Sequence, residues 1–290
     1  MIVVHSSAGE TGPSTSRNVV MPSQCVRFEV AHYRAGERHL PHAHPGLQIS
    51  VVLRGGVAER VARQTENARE LSVVVKDPGV VHEDVFDRSD TVMASLGFPD
   101  ATLADLVERR ESAMPWRWTH DPCVAAPFLS LVSRSKNGIR NLSADDDDIT
   151  DLVAAITARR TVSNGEPPAW LRVIVAEITD AWHPGLSVGS LARSANVHPV
   201  YLARSMRRWY GHGVAEAIRR SRIRHATQGI ARAASTVSTI AHDDGFADEA
   251  HLCREFARTT GLTPGRYRRL ITACLPNAGF ENSSRVAYRR

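Results

Sequence analysis

Arginine dominates the chemistry of the last third of this 290-residue chain. From Leu186 to Arg290 there are 17 arginines, no lysine and 7 acidic residues, whereas the rest carries 19 basic and 24 acidic side chains. A basic third joined to an acidic remainder points to a polyanion as partner of one domain only. The N-terminal part offers a different chemistry in His42-x-His44. Residues two apart on a strand project to the same side, and paired imidazoles can hold a metal or line a ligand pocket. Cys25, Cys123, Cys253 and Cys274 lie far apart with no Cys-x-x-Cys pair. They read as reduced thiols, and support neither a disulfide framework nor a cysteine metal site. No constellation of nucleophile, base and oxyanion donors is visible.

The elements that must carry these residues change type along the chain. Cys25–Tyr33, Leu47–Leu53, Leu71–Val75 and Thr91–Phe98 are short and rich in β-branched residues, and Gly and Pro punctuate them. Such spacing predicts an antiparallel sandwich or barrel. From Ala101 the pattern turns helical, over Ala101–Glu111, Ala125–Ser133 and Asp146–Arg160. Thr161–Pro168 reads as a linker, and Ala169–Trp182 as a helix stopped by His183-Pro184-Gly185. No apolar run approaches the ~20 residues that span a bilayer. The N-terminus lacks a basic segment followed by an apolar core, so no secretion signal is expected and the cytoplasm is the expected location.

The basic third contains an internal near-repeat. In the first copy Val188, Leu191, Ala192 and Ala195 fall on one face of a two-turn helix. Asn196 then suits a left-handed turn, Val197 plugs the corner, and a second helix from His198-Pro199 buries Leu202 and Met206. In the second copy, Val237 to Phe246, Gly245 supplies the turn, Asp248 caps a new helix, and Leu252 and Phe256 are its buried residues. A short helix, a tight turn and a second helix, found twice, fit the helix-turn-helix unit. Residues Ser187 to Leu270 resemble the DNA-binding domain of the AraC/XylS family of bacterial regulators. The resemblance rests on Ile240-Ala241-xxx-Gly245-Phe246-Ala247-Asp248, on His251-Leu252-Cys253-Arg254-Glu255-Phe256, and on Thr260-Gly261-Leu262-Thr263-Pro264-Gly265-Arg266-Tyr267-Arg268.

That resemblance implies two recognition helices joined by a linker helix, here Val214 to about Ala231. Each would enter the major groove on one face of double-stranded DNA, about 34 Å apart. By position Val200, Ala203 and Arg204 would face DNA from the first helix, and Glu249, Ala250, His251 and Arg254 from the second. Arg204 and Arg254 are the expected base readers, since a guanidinium can grip guanine O6 and N7 together. Arg207, Arg208, Arg219, Arg258 and Arg268 are expected on phosphates. Three residues depart from the family pattern, the mildest being Met206 in place of the usual aromatic, since methionine fills gaps well. Asp244 stands where the first copy has Ala195 and would cost a few kcal/mol if buried without a partner. Gly229 weakens the linker helix by ~1 kcal/mol relative to alanine.

Gly36, five residues, His42-x-His44, three residues, Gln48, six residues and Gly55 together resemble the first cupin motif. A partial second motif follows in Pro78-Gly79-Val80-Val81-His82, with the usual proline position taken by Asp77 and the trailing asparagine by Phe86. The resemblance implies a ligand set of His42, His44, Gln48 and His82 for a divalent first-row metal (zinc, iron, nickel or manganese), weakened by glutamine in place of glutamate. The alternative is that the histidines line a ligand pocket. His39, at the opposite strand parity, is expected to point outward.

The expected fold is therefore α+β with two domains: an N-terminal cupin-like β-barrel, a helical connector and a C-terminal all-α double helix-turn-helix. Its expected divisions are a disordered tail (1–22), the cupin-like sensor (23–100), the connector (101–165), the DNA-binding domain (166–272) and a basic tail (273–290). In the connector, Asp151, Leu152, Ala155, Ile156 and Arg159 form a stripe suited to packing within the chain or to a homodimer interface. The leading function is a sequence-specific transcriptional regulator tuned by a small-molecule effector, with RNA polymerase as a further partner. The competing readings are a metal-dependent cupin enzyme carrying a DNA-binding domain, disfavoured by the missing acid ligand, and a DNA-binding protein whose barrel only dimerises.

Overall fold

The computed structural model describes residues 15–20, 27–98, 116–134 and 166–275. Its strands are β1 (Thr15–Val20), β2 (Arg27–Tyr33), β3 (Arg38–His42), β4 (Leu47–Arg54), β5 (Gly56–Val61), β6 (Gln64–Arg69), β7 (Val73–Lys76), β8 (His82–Phe86), β9 (Thr91–Phe98) and β10 (Trp116–Thr119). They form a six-stranded sheet, in order β1-β2-β9-β4-β7-β10, and a four-stranded sheet, in order β3-β8-β5-β6. The cupin-like domain is thus two antiparallel sheets, and among the described residues no hydrogen-bonded cylinder closes around them. The helices are α1 (Pro122–Arg134), α2 (Ala169–Asp180), α3 (Val188–Ser194), α4 (Pro199–Tyr210), α5 (Val214–Arg232), α6 (Val237–Asp243), α7 (Glu249–Thr260) and α8 (Pro264–Cys274).

Strand period explains the layering. Successive side chains on a strand face opposite ways, and the larger sheet is covered on both faces. Val52, Val74, Met93, Trp116 and Trp118 point inward and meet Val57, Ala68 and Phe86 of the smaller sheet. Their strand neighbours Leu47, Ile49, Val51, Leu53, Val92, Ala94 and Leu96 point the other way, into one core with α1 and with Ile223, Ile230, Phe256, Tyr267 and Ile271 of the helical domain. The buried Tyr267 hydroxyl donates to the Leu53 carbonyl at 2.6 Å. A separate core holds Leu171, Ile174 and Ile178 of α2 against Leu191, Leu202, Met206 and Ile218. The larger sheet therefore rests directly on the second helix-turn-helix unit, while α2 serves the first.

Three expectations need correction. The tail at 1–22 is not disordered throughout, because Thr15–Val20 forms β1 and pairs antiparallel with β2 from Thr15↔His32 to Val20↔Arg27. Asn18-Val19-Val20 ends in β-branched residues, and the exposed edge of β2 offers them a ladder. The sensor does not stop at residue 100, nor is the connector wholly helical. Trp116–Thr119 extends the larger sheet as β10, in register with β7 from Trp116↔Lys76 to Thr119↔Val73, and buries both tryptophans. His39 does not point outward, because the β3–β8 register shifts between His39 and His42 and resets the strand parity. The expected helices Ala101–Glu111 and Asp146–Arg160, the stripe at Asp151 to Arg159, and most of the basic tail lie outside the described residues.

Two of the departures, Gly229 and Asp244, have structural reasons. A Cβ at Gly229 would come within 3.1 Å of Ile240 Cγ1, so glycine lets α6 pack close on α5. Asp244 is 3% exposed yet paired, its Oδ1 lying 2.5 Å from His225 Nδ1 on α5. The partner stands nineteen residues away in sequence.

Candidate nucleic-acid interface and ligand site

Each repeat unit turns through a left-handed residue, Asn196 at φ 52° and Gly245 at φ 71°. In the first unit the Ser187 side chain accepts from Ser190 N to start α3, and Pro199 opens α4 behind His198, whose Nδ1 accepts from Val200 N at 3.2 Å. Burial of Leu202, Ser205 and Met206 fixes which face of α4 is turned in. Val200, Arg204, Arg207 and Arg208 are left exposed and Ala203 half-buried. In the second unit Asp248 accepts from His251 N at 2.6 Å to start α7, and Leu252 and Phe256 are buried. Glu249, Ala250 and Arg254 then stand exposed. The i, i+4 pairs Val200/Arg204 and Ala250/Arg254 share helix faces.

His251 differs from its neighbours. It is half-buried, its Nδ1 accepts from Ala247 N at 3.2 Å, and its ring meets Phe246 edge-on at 5.5 Å. It therefore braces the turn before α7. Three arginines expected on phosphates have partners within the protein. Arg268 donates to the carbonyls of Ile230 at 3.2 Å and Ser235 at 3.0 Å, tying α8 to the end of α5. Arg258 pairs with Glu255 at 2.8 Å, and Arg219 with Glu216 and Glu255. Arg207 and Arg208, at the C-terminal turn of α4, are exposed.

The second constellation lies between the sheets. His42, His44 and His82 converge, each offering a ring nitrogen, and these atoms lie within 4.8 Å of one another. His44 sits just beyond the end of β3. His42 Nδ1 donates to the Leu40 carbonyl at 2.9 Å and His82 Nδ1 to the Val80 carbonyl at 3.0 Å, which leaves Nε2 of each ring with a lone pair. Burial and the nearby Lys76 ammonium push His44 and His82 down to about 3, so both rings are neutral. Gln48 Oε1 is buried without a hydrogen-bond partner.

These features suit a metal, but one residue that the sequence reasoning missed competes for the site. Lys76 is cross-strand neighbour of Gln48, is 5% exposed, and places Nζ 3.1 Å from His82 Nε2 and 3.4 Å from Glu59 Oε2. Burial pushes the Glu59 carboxyl up to about 7, against the pull of Lys76. Asp84 Oδ1, Glu59 Oε1 and Trp118 Nε1 are buried without partners. His39 joins the group beside His42 and Asp84, its Nδ1 4.0 Å from Asp84 Oδ2, and Glu37 Oε1 lies 3.0 Å from its Nε2. The His-x-His motif signalled part of this cluster. The remaining signal was a charged residue on an apolar strand face, with Val57 and Val61 two positions from Glu59, Val74 two from Lys76 and Phe86 two from Asp84. The donors fit a divalent ion on condition that the Lys76 ammonium leaves His82 Nε2.

A family model described as a helix-turn-helix domain matches residues 191–270, and one described as an AraC-like ligand-binding domain matches residues 27–154. The two matched segments together span more than half of the chain. The chain is thus similar to AraC-type regulators in its ligand-binding segment and carries a helix-turn-helix segment beside it. Among its relatives, the HTH-type transcriptional regulator GlxA of Rhizobium meliloti is 34% identical over 199 residues, 57% of this chain and 61% of that protein. The chain thus spans about three fifths of that relative's length. Among solved structures, ToxT from Vibrio cholerae matches at 12% identity and a TM-score of 0.37, covering 86% of this chain and 100% of that one. A cupin superfamily protein from Desulfitobacterium hafniense matches at 16% identity and a TM-score of 0.28, covering 32% of this chain and 84% of that one. At these levels the solved structures supply no residue correspondence. No helix among the described residues is long and apolar enough to cross a membrane.

Proposed function

We propose that this chain is a cytoplasmic, sequence-specific transcriptional regulator of the AraC family, and not an enzyme, whose hold on double-stranded DNA responds to a small molecule bound between its two sheets. The observation that carries the proposal is the pair of capped helices, α4 and α7, that bury Leu202/Met206 and Leu252/Phe256 and leave Arg204 and Arg254 exposed on their outer faces. Arg204 and Arg254 read bases, Val200 and Ala250 offer apolar contact to thymine methyls, and Arg207 and Arg208 hold phosphate. Communication has a physical route. On β4, Gln48 faces the inner cluster, while its neighbours Leu47 and Ile49 pack in the core shared with the DNA-binding helices. A ligand that shifts this strand therefore strains its packing against the helices, because close-packed cores do not deform continuously. A homodimer and contact with RNA polymerase belong to the same proposal.

The test is selection of bound fragments from the source genome with wild type and with an Arg204→Ala, Arg254→Ala double variant. The regulator reading expects two boxes about one helical turn apart in the wild-type set and their loss in the variant. Enrichment that is equal in both proteins would overturn the assignment of these residues. Enrichment by neither would overturn the DNA reading.

A second reading of the inner site is favoured by the convergence of three imidazoles on the orphaned Gln48 Oε1. In it His42, His44, His82 and Gln48 hold zinc, iron, nickel or manganese, which would supply an electrophilic anchor for an effector. Metal analysis of protein purified without a polyhistidine tag decides, and substoichiometric values for all four metals sink it.

A further inference from the structure

A cavity of about 620 Å³ lies where the turn after β10 meets the first helix-turn-helix unit. None of the inner-sheet residues lines it. Its walls are Ile178 of α2, Met206 and Tyr210 of α4, and Ala217 of α5, with His120 and Asp121 across from Arg220 and Arg224. Its volume lies in the range, roughly 300–1,000 Å³, that accommodates organic ligands.

The hydrogen bonding of the wall is incomplete at Arg224, although the Asp180 and Glu70 carboxyls lie near enough to act on its charge. Arg220 is neutralised, donating to Asp121 Oδ2 at 2.5 Å and to Glu216 Oε1 at 2.7 Å. Arg224 is 6% exposed and donates from Nη2 to the His120 carbonyl, whereas its Nε and Nη1 are buried with no partner. Burial, with the Arg224 and Arg69 charges behind it, pushes His120 down to about 4, so this ring adds no charge of its own. Its Nδ1 is engaged with Ser72 Oγ at 2.9 Å. A buried guanidinium with two unused donors is costly until an acceptor reaches it, and a carboxylate is the acceptor that also answers its charge.

We propose that this cavity is a second effector site, separate from the inner-sheet cluster, which takes a small organic carboxylate. The acid group meets Arg224, and an apolar body lies against Ile178, Met206 and Tyr210. Such a ligand would join the β10–α1 turn to α2, α4 and α5, and so fix the first reading unit against the sensor.

The test is thermal-shift and calorimetric titration of the full chain, without DNA, using benzoate, phenylacetate and octanoate beside their neutral amides. At least one acid should bind and its amide should not. Arg224→Met should weaken that acid by about tenfold or more, the size of a lost charge-assisted hydrogen bond. Because Arg224 also holds the His120 carbonyl, a second variant, Ala217→Trp, fills the cavity and keeps that bond. It should abolish binding while its circular dichroism stays that of the wild type. The proposal is overturned if no acid binds, if amides bind as well as acids, or if binding survives Ala217→Trp. Loss of binding in Lys76→Met with retention in Ala217→Trp would move the ligand to the inner cluster and overturn it equally.

Discussion

The His225–Asp244 pair gives a prediction in which two single substitutions at one contact have very different costs. Asp244 is buried at the end of α6, and His225 Nδ1, 2.5 Å away, is its partner. The histidine side chain is 51% exposed against 4% for the aspartate. In His225→Ala the carboxylate stays buried and loses its partner. Breaking a buried pair costs about 3–5 kcal/mol, and solvent reaching the exposed side trims this to roughly 2–3 kcal/mol. In Asp244→Ala the buried charge itself disappears, and the imidazole left behind is half in water, so the cost stays within about 1 kcal/mol. The double variant should resemble Asp244→Ala. Asp244 raises the His225 pKa above its ordinary value, with Glu70 reinforcing and Arg232 opposing. A raised histidine stabilises fully below its unfolded pKa of about 6.5 and fades as pH climbs through the folded value. Urea unfolding of wild type and the three variants at pH 6 and at pH 9 measures both effects. The wild-type advantage over Asp244→Ala should be greater at pH 6. If Asp244→Ala is the costlier single substitution, or if that advantage is independent of pH, the pairing account is refuted.

His120 has the opposite sign: its folded pKa is depressed to about 4, so its contribution is present above about 6.5 and is lost as pH falls toward 4. Thermal melts between these limits should show stability falling with acidification, with a shallower slope in His120→Gln. Lys76→Met removes the ammonium from His82 Nε2 and should raise zinc affinity by at least tenfold, since a cation at such range repels a second cation by several kcal/mol. Competition with a chelating dye reads this, and an unchanged affinity would show that Lys76 does not guard the histidines. Tyr267→Phe deprives the Leu53 carbonyl of its buried donor and should cost about 1–2 kcal/mol, seen as a lowered melting temperature and faster amide exchange at β4.

The helical repeat was legible because its determinants are local. Asn196 and Gly245 set the turns, Ser187 and Asp248 supply caps, and Leu202/Met206 and Leu252/Phe256 recur at helical spacing. Hence the exposed arginine faces follow from sequence order alone. The ends of β2, β4, β7 and β9 were approached within a residue or two, since β-branched runs bounded by turns are short-range signals. The sites are another matter. Lys76, Glu59 and Asp84 meet His42 and His82 only because strands distant in sequence are laid side by side, and His39 joins them through a bulge that no strand parity foretells. Likewise the partner of Asp244 is fixed by where α5 crosses α6, and the role of Trp116 and Trp118 by the pairing of β10 with β7. Propensity, capping and periodicity act over a few residues, and so the two helix-turn-helix units and their basic surface could be read before any tertiary contact was known. Tertiary structure alone decided which charges are balanced, because burial and pairing depend on neighbours brought from elsewhere in the chain.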